Sequence, residues 1–135
     1  MLRFSYIPSD FHPMMLVFGE AEDLRQLAAL LRIVARGETI PLEAASFSAR
    51  SDTSVLVAAE GGPPGLVALD ATAKRFRWTL DAAAAEAAAD LVGSLADPAR
   101  KAGSEVIQFD PMGNDIPIKV SRGEFADDFL LTVHP

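Results

Sequence analysis

The stretch MMLVFGE, residues 14–20, decides how the rest of the chain is interpreted. Five consecutive apolar residues ended by Gly19 are typical of a short strand that is buried on both faces. The acidic residue Glu20 then favours the start of a helix, because negative charge stabilises a helix N-terminus. The stretch therefore predicts a strand that turns directly into a helix.

A first helix is predicted from residue 20 to residue 36, where Gly37 provides a stop signal. Its apolar residues recur at helical spacing and should pack on the sheet: Leu24, Leu27, Ala28, Leu31, Val34 and Ala35. Before the stretch, residues 2–7 alternate between apolar and polar side chains. This alternation indicates a half-buried strand that ends at Pro8.

The rest of the chain contains more strand patterns and one more helix. Strands are predicted at 54–59, 66–69, 74–80, 104–110 and 116–121. A second helix is predicted over residues 81–97, with Asp81 as its N-cap and Pro98 after its end. Residues 38–53 show weak periodicity and indicate a loop or an irregular strand.

Hairpins therefore surround two helices, and strands and helices do not alternate regularly. This order predicts an α+β fold, in which a single-layer, mainly antiparallel sheet carries both helices packed on one face. The 135 residues are predicted to form a single domain over 1–135, without an internal repeat.

Composition excludes several classes of function. The chain has no cysteine, so disulfides, thiol nucleophiles and cysteine-bound metal clusters are impossible. Its 12 basic and 19 acidic residues give a net charge of −7, which argues against nucleic-acid binding. No apolar run approaches the ~20 residues of a spanning helix, and the N-terminus lacks a signal peptide's apolar region. We therefore expect a cytoplasmic protein with no membrane partner.

The two histidines offer little support for catalysis. His12 and His134 lie near opposite ends of the chain, without the spacing of helix-borne metal ligands. The acidic loop 110–115 lacks the alternating oxygen ligands of a calcium site. We predict no catalytic residue, no metal and no cofactor. The alternative is a small enzyme or small-molecule-binding domain that uses His12 or His134 with a nearby carboxylate such as Asp127 or Asp128.

The stretch KRFRW, residues 74–78, mixes basic and aromatic side chains, a combination that can bind single-stranded nucleic acid. In a strand, however, Phe76 and Trp78 share one face while Arg75 and Arg77 share the other. The aromatic pair is therefore predicted to enter the core. The arginines are left on a solvated face or on a docking surface for an acidic partner.

Each predicted helix carries charge of one sign along one side, because the spacings are close to whole turns. The basic stripe of the first helix consists of Arg25, Arg32 and Arg36. The acidic stripe of the second consists of Glu86, Asp90 and Asp97. If the helices lie side by side, the stripes form intramolecular ion pairs. If they do not, the stripes favour docking between two copies or binding of a charged partner.

Leu30 and Ile33 lie away from the main apolar face of the first helix, where a surface helix should be polar. Something is therefore expected to cover them: residues 38–53, the C-terminal tail or a second subunit. A homodimer through the helical layer is one prediction that follows, and a protein partner is another.

A resemblance to small bacterial immunity proteins of polymorphic toxin systems is carried by LVFGE at 16–20, DLRQLA at 23–28 and GSEVI at 103–107. These stretches cover about a third of the chain. The resemblance implies a domain that is not an enzyme and that neutralises a toxin by binding it. Together with the charged faces, it leads us to predict a non-catalytic protein-interaction domain.

Overall fold

The computed structural model describes residues 1–9, 12–60, 62–99, 103–110 and 112–123. Its elements follow the order β1 (Arg3–Ile7), β2 (Met14–Gly19), α1 (Ala21–Val34), β3 (Ile40–Pro41), β4 (Ser54–Ala58), β5 (Gly65–Asp70), β6 (Arg75–Thr79), α2 (Ala82–Leu95), β7 (Gly103–Ile107) and β8 (Ile118–Arg122). A short 3-10 turn, Leu42–Ala44, follows β3. The α+β class and the strand-to-helix turn at residues 14–20 are confirmed.

The described strands form two four-stranded sheets. Sheet 1 has the order β1-β2-β8-β7, and sheet 2 has the order β3-β4-β6-β5. The central pair of each sheet is parallel, β2 with β8 and β4 with β6, and the outer pairs are antiparallel. The prediction of a single-layer, mainly antiparallel sheet is not confirmed, because both sheets are mixed. That prediction assumed that strands adjacent in sequence pair with each other. In each parallel pair, however, other strands lie between the two partners along the chain.

The fold is an interlocked repeat of one ββαββ unit. The first unit contains β1, β2, α1, β3 and β4, and the second contains β5, β6, α2, β7 and β8. Sheet 1 joins the first two strands of the first unit to the last two strands of the second, and sheet 2 joins the last two strands of the first unit to the first two strands of the second. The repeat lies in the order and pairing of the elements, whereas the sequence shows no internal repeat.

The two helices bury corresponding positions. Both have 14 residues, and we align them from their first residues, Ala21 and Ala82. Leu24, Leu27, Ala28, Leu31 and Val34 are buried in α1, and Ala85, Ala88, Ala89, Val92 and Leu95 are their buried counterparts in α2. The same positions are buried in both helices, although the side chains at those positions differ.

Side-chain size differs between the two units at corresponding positions. The larger aliphatic side chains of the first unit lie in α1, whereas α2 buries mainly alanines. Phe76 and Trp78 of β6 occupy the positions that Met15 and Val17 hold in β2. These differences hide the repeat from a comparison of residue identities.

Both sheets and both helices contribute to one hydrophobic core. Phe76 is 1% exposed and Trp78 is 2% exposed, which confirms the alternation predicted for residues 74–78. Val17 of sheet 1, Val55 and Trp78 of sheet 2, and Leu27 of α1 line the same enclosed apolar region. Within the described part of the chain, neither helix has the length and apolarity needed to cross a bilayer.

The helix starts are stabilised by local side-chain contacts. The backbone N–H of Glu20 donates to Asp23 Oδ2 at 2.9 Å, as part of a reciprocal capping box at α1. At α2, Asp81 Oδ1 accepts a hydrogen bond from the backbone N–H of Ala84 at 2.7 Å, so the predicted N-cap is confirmed. The helices end at Val34 and Leu95, two residues before the predicted ends.

Replacement of Asp81 by alanine is expected to lower the free energy of unfolding by about 1 kcal/mol, because a helix N–H then loses its acceptor. Urea denaturation measures this change. Asp81→Asn retains a side-chain acceptor and should lose much less. Equal losses in the two variants would contradict the capping role.

The interlocked repeat predicts that the halves of the chain depend on each other. A fragment of residues 1–61 lacks β8 and β6, the parallel partners of β2 and β4, and a fragment of 62–135 lacks β4 and β2, the parallel partners of β6 and β8. Each fragment alone should therefore be unfolded or aggregated, whereas co-expressed fragments should copurify with the circular dichroism spectrum of the intact protein. A fragment that folds alone as a monomer would contradict the interlocking.

Candidate functional site

The residues of the catalytic alternative are only partly described. His12 is exposed in the connection between β1 and β2, and its backbone N–H donates to Ser9 Oγ at 3.2 Å. His134, Asp127 and Asp128 lie outside the described residues. Among the residues that the structure does describe, no group of three or more acidic or histidine side chains is arranged to hold a metal ion.

In the acidic loop between β7 and β8, the carboxylates accept hydrogen bonds from backbone N–H groups of the same loop. Asp115 is 5% exposed, and its two oxygens accept the backbone N–H groups of Phe109 at 2.7 Å and Asp110 at 3.0 Å. Asp110 in turn accepts the N–H of Met112 at 2.8 Å. Gly65 allows this loop to approach β5, since a Cβ at Gly65 would lie 2.6 Å from Asp115. These carboxylate oxygens are therefore occupied by hydrogen bonds from the loop's own backbone.

The charge stripes meet between the two helices. Arg32 in the last turn of α1 forms ion pairs with Glu86 and, at 2.8 Å, with Asp90 of α2. These hydrogen bonds, with Asp90 first and Glu86 second, raise the pKa of Arg32 above its ordinary value. The helices therefore lie side by side at these three residues, and here the basic and acidic stripes form intramolecular ion pairs.

The outer members of the stripes do not join this network. Arg25 forms an ion pair at 3.5 Å with Glu22 of its own helix. Arg36 and Asp97 are both exposed, and neither has an ion pair with another residue in the described ranges. The backbone carbonyl of Asp97 accepts a hydrogen bond from Arg122 at 2.8 Å. Asp97 Oδ1 also accepts the backbone N–H of Ala99 at 2.9 Å, so this carboxylate is engaged within its own segment.

Leu30 and Ile33 have different surroundings. Leu30 is 5% exposed and belongs to the core, so it is not available to a partner. Ile33 is 41% exposed, in a shallow groove that Ile40, Ala45 and Phe47 also line. Residues 40–47, within the segment predicted as a loop or irregular strand, therefore lie beside both side chains.

A basic face forms the outer side of sheet 2, opposite the core. Val67, Arg77 and Leu56 are neighbours across three adjacent strands. Arg75 is exposed two residues before Arg77 on the same side of β6. Leu69, at the irregularity of β5 opposite β6, is 57% exposed. Asp70 of β5 is half-buried and lies opposite Arg75 in the register. We call Leu56, Val67, Leu69, Arg75 and Arg77 the basic face.

Sequence reasoning identified Arg75 and Arg77 but missed the aliphatic residues of this face. Alternation within the predicted strand 66–69 would have placed Val67 and Leu69 on the side opposite Leu66. Arg77 is held by a hydrogen bond from Nη2 to the carbonyl of Glu60 at 2.6 Å. Arg75 has no ion pair with another residue of the described chain. Arg75 and Leu69 are therefore the most accessible members of the basic face.

An ion pair lies at the edge of the basic face, in the turn between β5 and β6. Lys74 Nζ is 2.7 Å from Asp52 Oδ2. The hydrogen bond from Lys74 lowers the pKa of Asp52 below its ordinary value. Burial, the next largest effect, opposes this shift, and a hydrogen bond from Thr53 adds to the lowering. The pair ties the segment before β4 to the turn that precedes Arg75.

Comparisons with protein-family models, curated proteins and solved structures found no match to the chain. The resemblance to immunity proteins therefore stays a prediction.

The Asp52–Lys74 pair should make stability depend on acid pH. Because the pKa of Asp52 is lower in the folded protein, its contribution is complete above the ordinary value near 4 and disappears as the pH falls below it. Asp52→Asn should lose less than about 1 kcal/mol near pH 7, since the pair is solvent-exposed and screened. Thermal unfolding of both proteins at pH 7 and at pH 3 measures the difference, which should shrink in acid. An undiminished difference at pH 3 would argue against the ion pair.

Proposed function

We propose that this protein is a non-catalytic domain that binds an acidic protein partner through the basic face. The observation that carries the proposal is the open outer side of sheet 2, where Arg75 and Leu69 are exposed beside half-buried Val67 and Leu56. The inner side of the same sheet already packs in the core through Phe76 and Trp78. The outer side is therefore the one that is left for another molecule.

The chemistry of this face fits a protein partner with carboxylates. Arginine is enriched in protein interfaces, and its planar guanidinium can bind a carboxylate through two hydrogen bonds. The aliphatic side chains beside it expose apolar surface to water in the free protein, and a bound partner would bury that surface favourably. The chain as a whole carries −7, and Asp70 lies opposite Arg75, so the accessible guanidinium of Arg75, and not a net charge of the face, would contact a carboxylate of the partner.

An immunity-type function is the specific form of this proposal. The likeness to immunity proteins at 16–20, 23–28 and 103–107 falls on β2, α1 and β7, which are elements of the fold outside the basic face. It supports a toxin as the class of partner and a bacterial cytoplasm as the location. The basic face would then be the surface that contacts the toxin.

The proposal is tested by comparing variants of the basic face with a matched control. Arg75→Glu and Leu69→Asp should each weaken binding of a partner captured from the native cells by about tenfold or more, because a central interface residue is lost. Arg36→Glu makes the same charge change on the helical surface and should bind like the wild type. Titration calorimetry with the purified partner measures the affinities.

The expected binding should also weaken as salt is added, and less steeply for Arg75→Glu than for the wild type. If Arg75→Glu and Leu69→Asp bind the captured partner as tightly as Arg36→Glu does, the basic face is not the binding surface.

A further inference from the structure

The outer side of sheet 1, which faces away from the core, carries two buried apolar side chains. Leu16 is 1% exposed and Phe18 is 5% exposed. Met15 and Val17 alternate with them along β2 and belong to the shared hydrophobic core, whereas Leu16 and Phe18 do not. A further layer of atoms therefore shields Leu16 and Phe18 from water on the outer side of the sheet.

The matching position in sheet 2 is polar. Trp78 of β6 corresponds to Val17 of β2 in the repeat, so Arg77 corresponds to Leu16. Arg77 is half-buried, whereas Leu16 is almost completely covered. The two units therefore differ on the outer sides of their sheets, and the side that contains Leu16 requires an apolar cover.

We propose that residues 124–135, which follow β8 and lie outside the described residues, dock on the outer side of sheet 1 and cover Leu16 and Phe18. β8 is a central strand of that sheet, paired with β2 on one side and with β7 on the other. The chain therefore leaves the sheet beside the strand that carries both apolar side chains. Gly123 follows β8 with a φ of +65°, which glycine adopts readily and which lets the chain change direction there.

The segment is long enough to cross this surface. Its 12 residues span at most about 40 Å when extended, whereas the six residues of β2 are about 20 Å long. Neighbouring strands lie about 5 Å apart, so a sideways shift of one strand brings the segment from β8 over β2.

The sequence of the segment, EFADDFLLTVHP, suits an apolar surface. Phe129, Leu131 and Val133 alternate with other residues, which places all three on one side of an extended chain. Such alternation is typical of a chain with one buried face. That face is the one that would lie against Leu16 and Phe18.

The charges of the two surfaces are complementary. The outer side of sheet 1 carries Arg3 on β1 and Lys119 on β8, and none of the described strand residues on that side is acidic. Residues 124–135 contain Glu124, Asp127 and Asp128 and no lysine or arginine. Docking brings these opposite charges together, while the buried apolar area supplies most of the stabilisation.

The covalent connection favours this segment over a second copy as the cover. A segment held by a short linker has an effective concentration in the millimolar range at its own docking surface. A second molecule in micromolar solution competes poorly with it. The cover should therefore belong to the same chain as the sheet.

Nuclear Overhauser contacts in the isotope-labelled full-length chain test the proposal. Side chains of Phe129, Leu131 or Val133 should show contacts to Leu16 or Phe18. A mixture of labelled and unlabelled protein distinguishes contacts within one molecule from contacts between two. The absence of these contacts, or contacts between two molecules, would overturn the proposal.

Amide hydrogen exchange of two variants tests which side of the segment faces the sheet. Leu131→Asp should speed exchange at residues 126–133 by about tenfold or more, because docking would bury an unpaired charge. Leu130→Asp makes the same change one residue earlier, on the opposite side of an extended chain, and should exchange like the wild type. Circular dichroism checks that both variants keep the fold. Equal exchange in the two variants would overturn the proposal.

This inference does not depend on the proposed function, because it concerns the outer side of the other sheet. Arg75→Glu, which alters the basic face, should leave exchange at residues 126–133 unchanged. Faster exchange in that variant would contradict a cover confined to sheet 1.

Discussion

The parallel pairing of β2 with β8 and of β4 with β6 is the constraint on which the rest of the structure depends. Each pair joins a strand of the first ββαββ unit to a strand of the second, so neither sheet is complete within one unit. Backbone groups of a central strand need partners on both sides, because an unpaired buried N–H or C=O is costly. Once these pairs form, α1 and α2 are brought together and one core serves both units.

The shared core accommodates different side chains at corresponding positions of the two units. α2 buries mainly alanines and β6 buries Phe76 and Trp78, whereas α1 buries larger aliphatic residues and β2 buries Met15 and Val17. A core tolerates such differences in residue identity when its total volume and its pattern of apolar positions are kept.

Two surfaces differ in how their charges are used. On the outer side of sheet 2, Arg75 and Leu69 are accessible and suit an acidic protein. On the helical surface, Arg32 bridges Glu86 and Asp90, and Arg25 pairs with Glu22. The Asp97 carboxylate accepts the N–H of Ala99, so most of these charges are engaged within the chain.

The sequence by itself determined the local features: both helices, the Asp81 cap, and the burial of Phe76 and Trp78 with Arg75 and Arg77 on the opposite side. These follow from periodicity and from short-range hydrogen bonds, which neighbouring residues decide. Only the tertiary structure decided the division into two mixed sheets, the burial of Leu30 beside residues 40–47, and the meeting of Arg32 with Glu86 and Asp90. Those features join segments far apart in the chain, and periodicity shows which side of an element faces the core but not which element it will meet there.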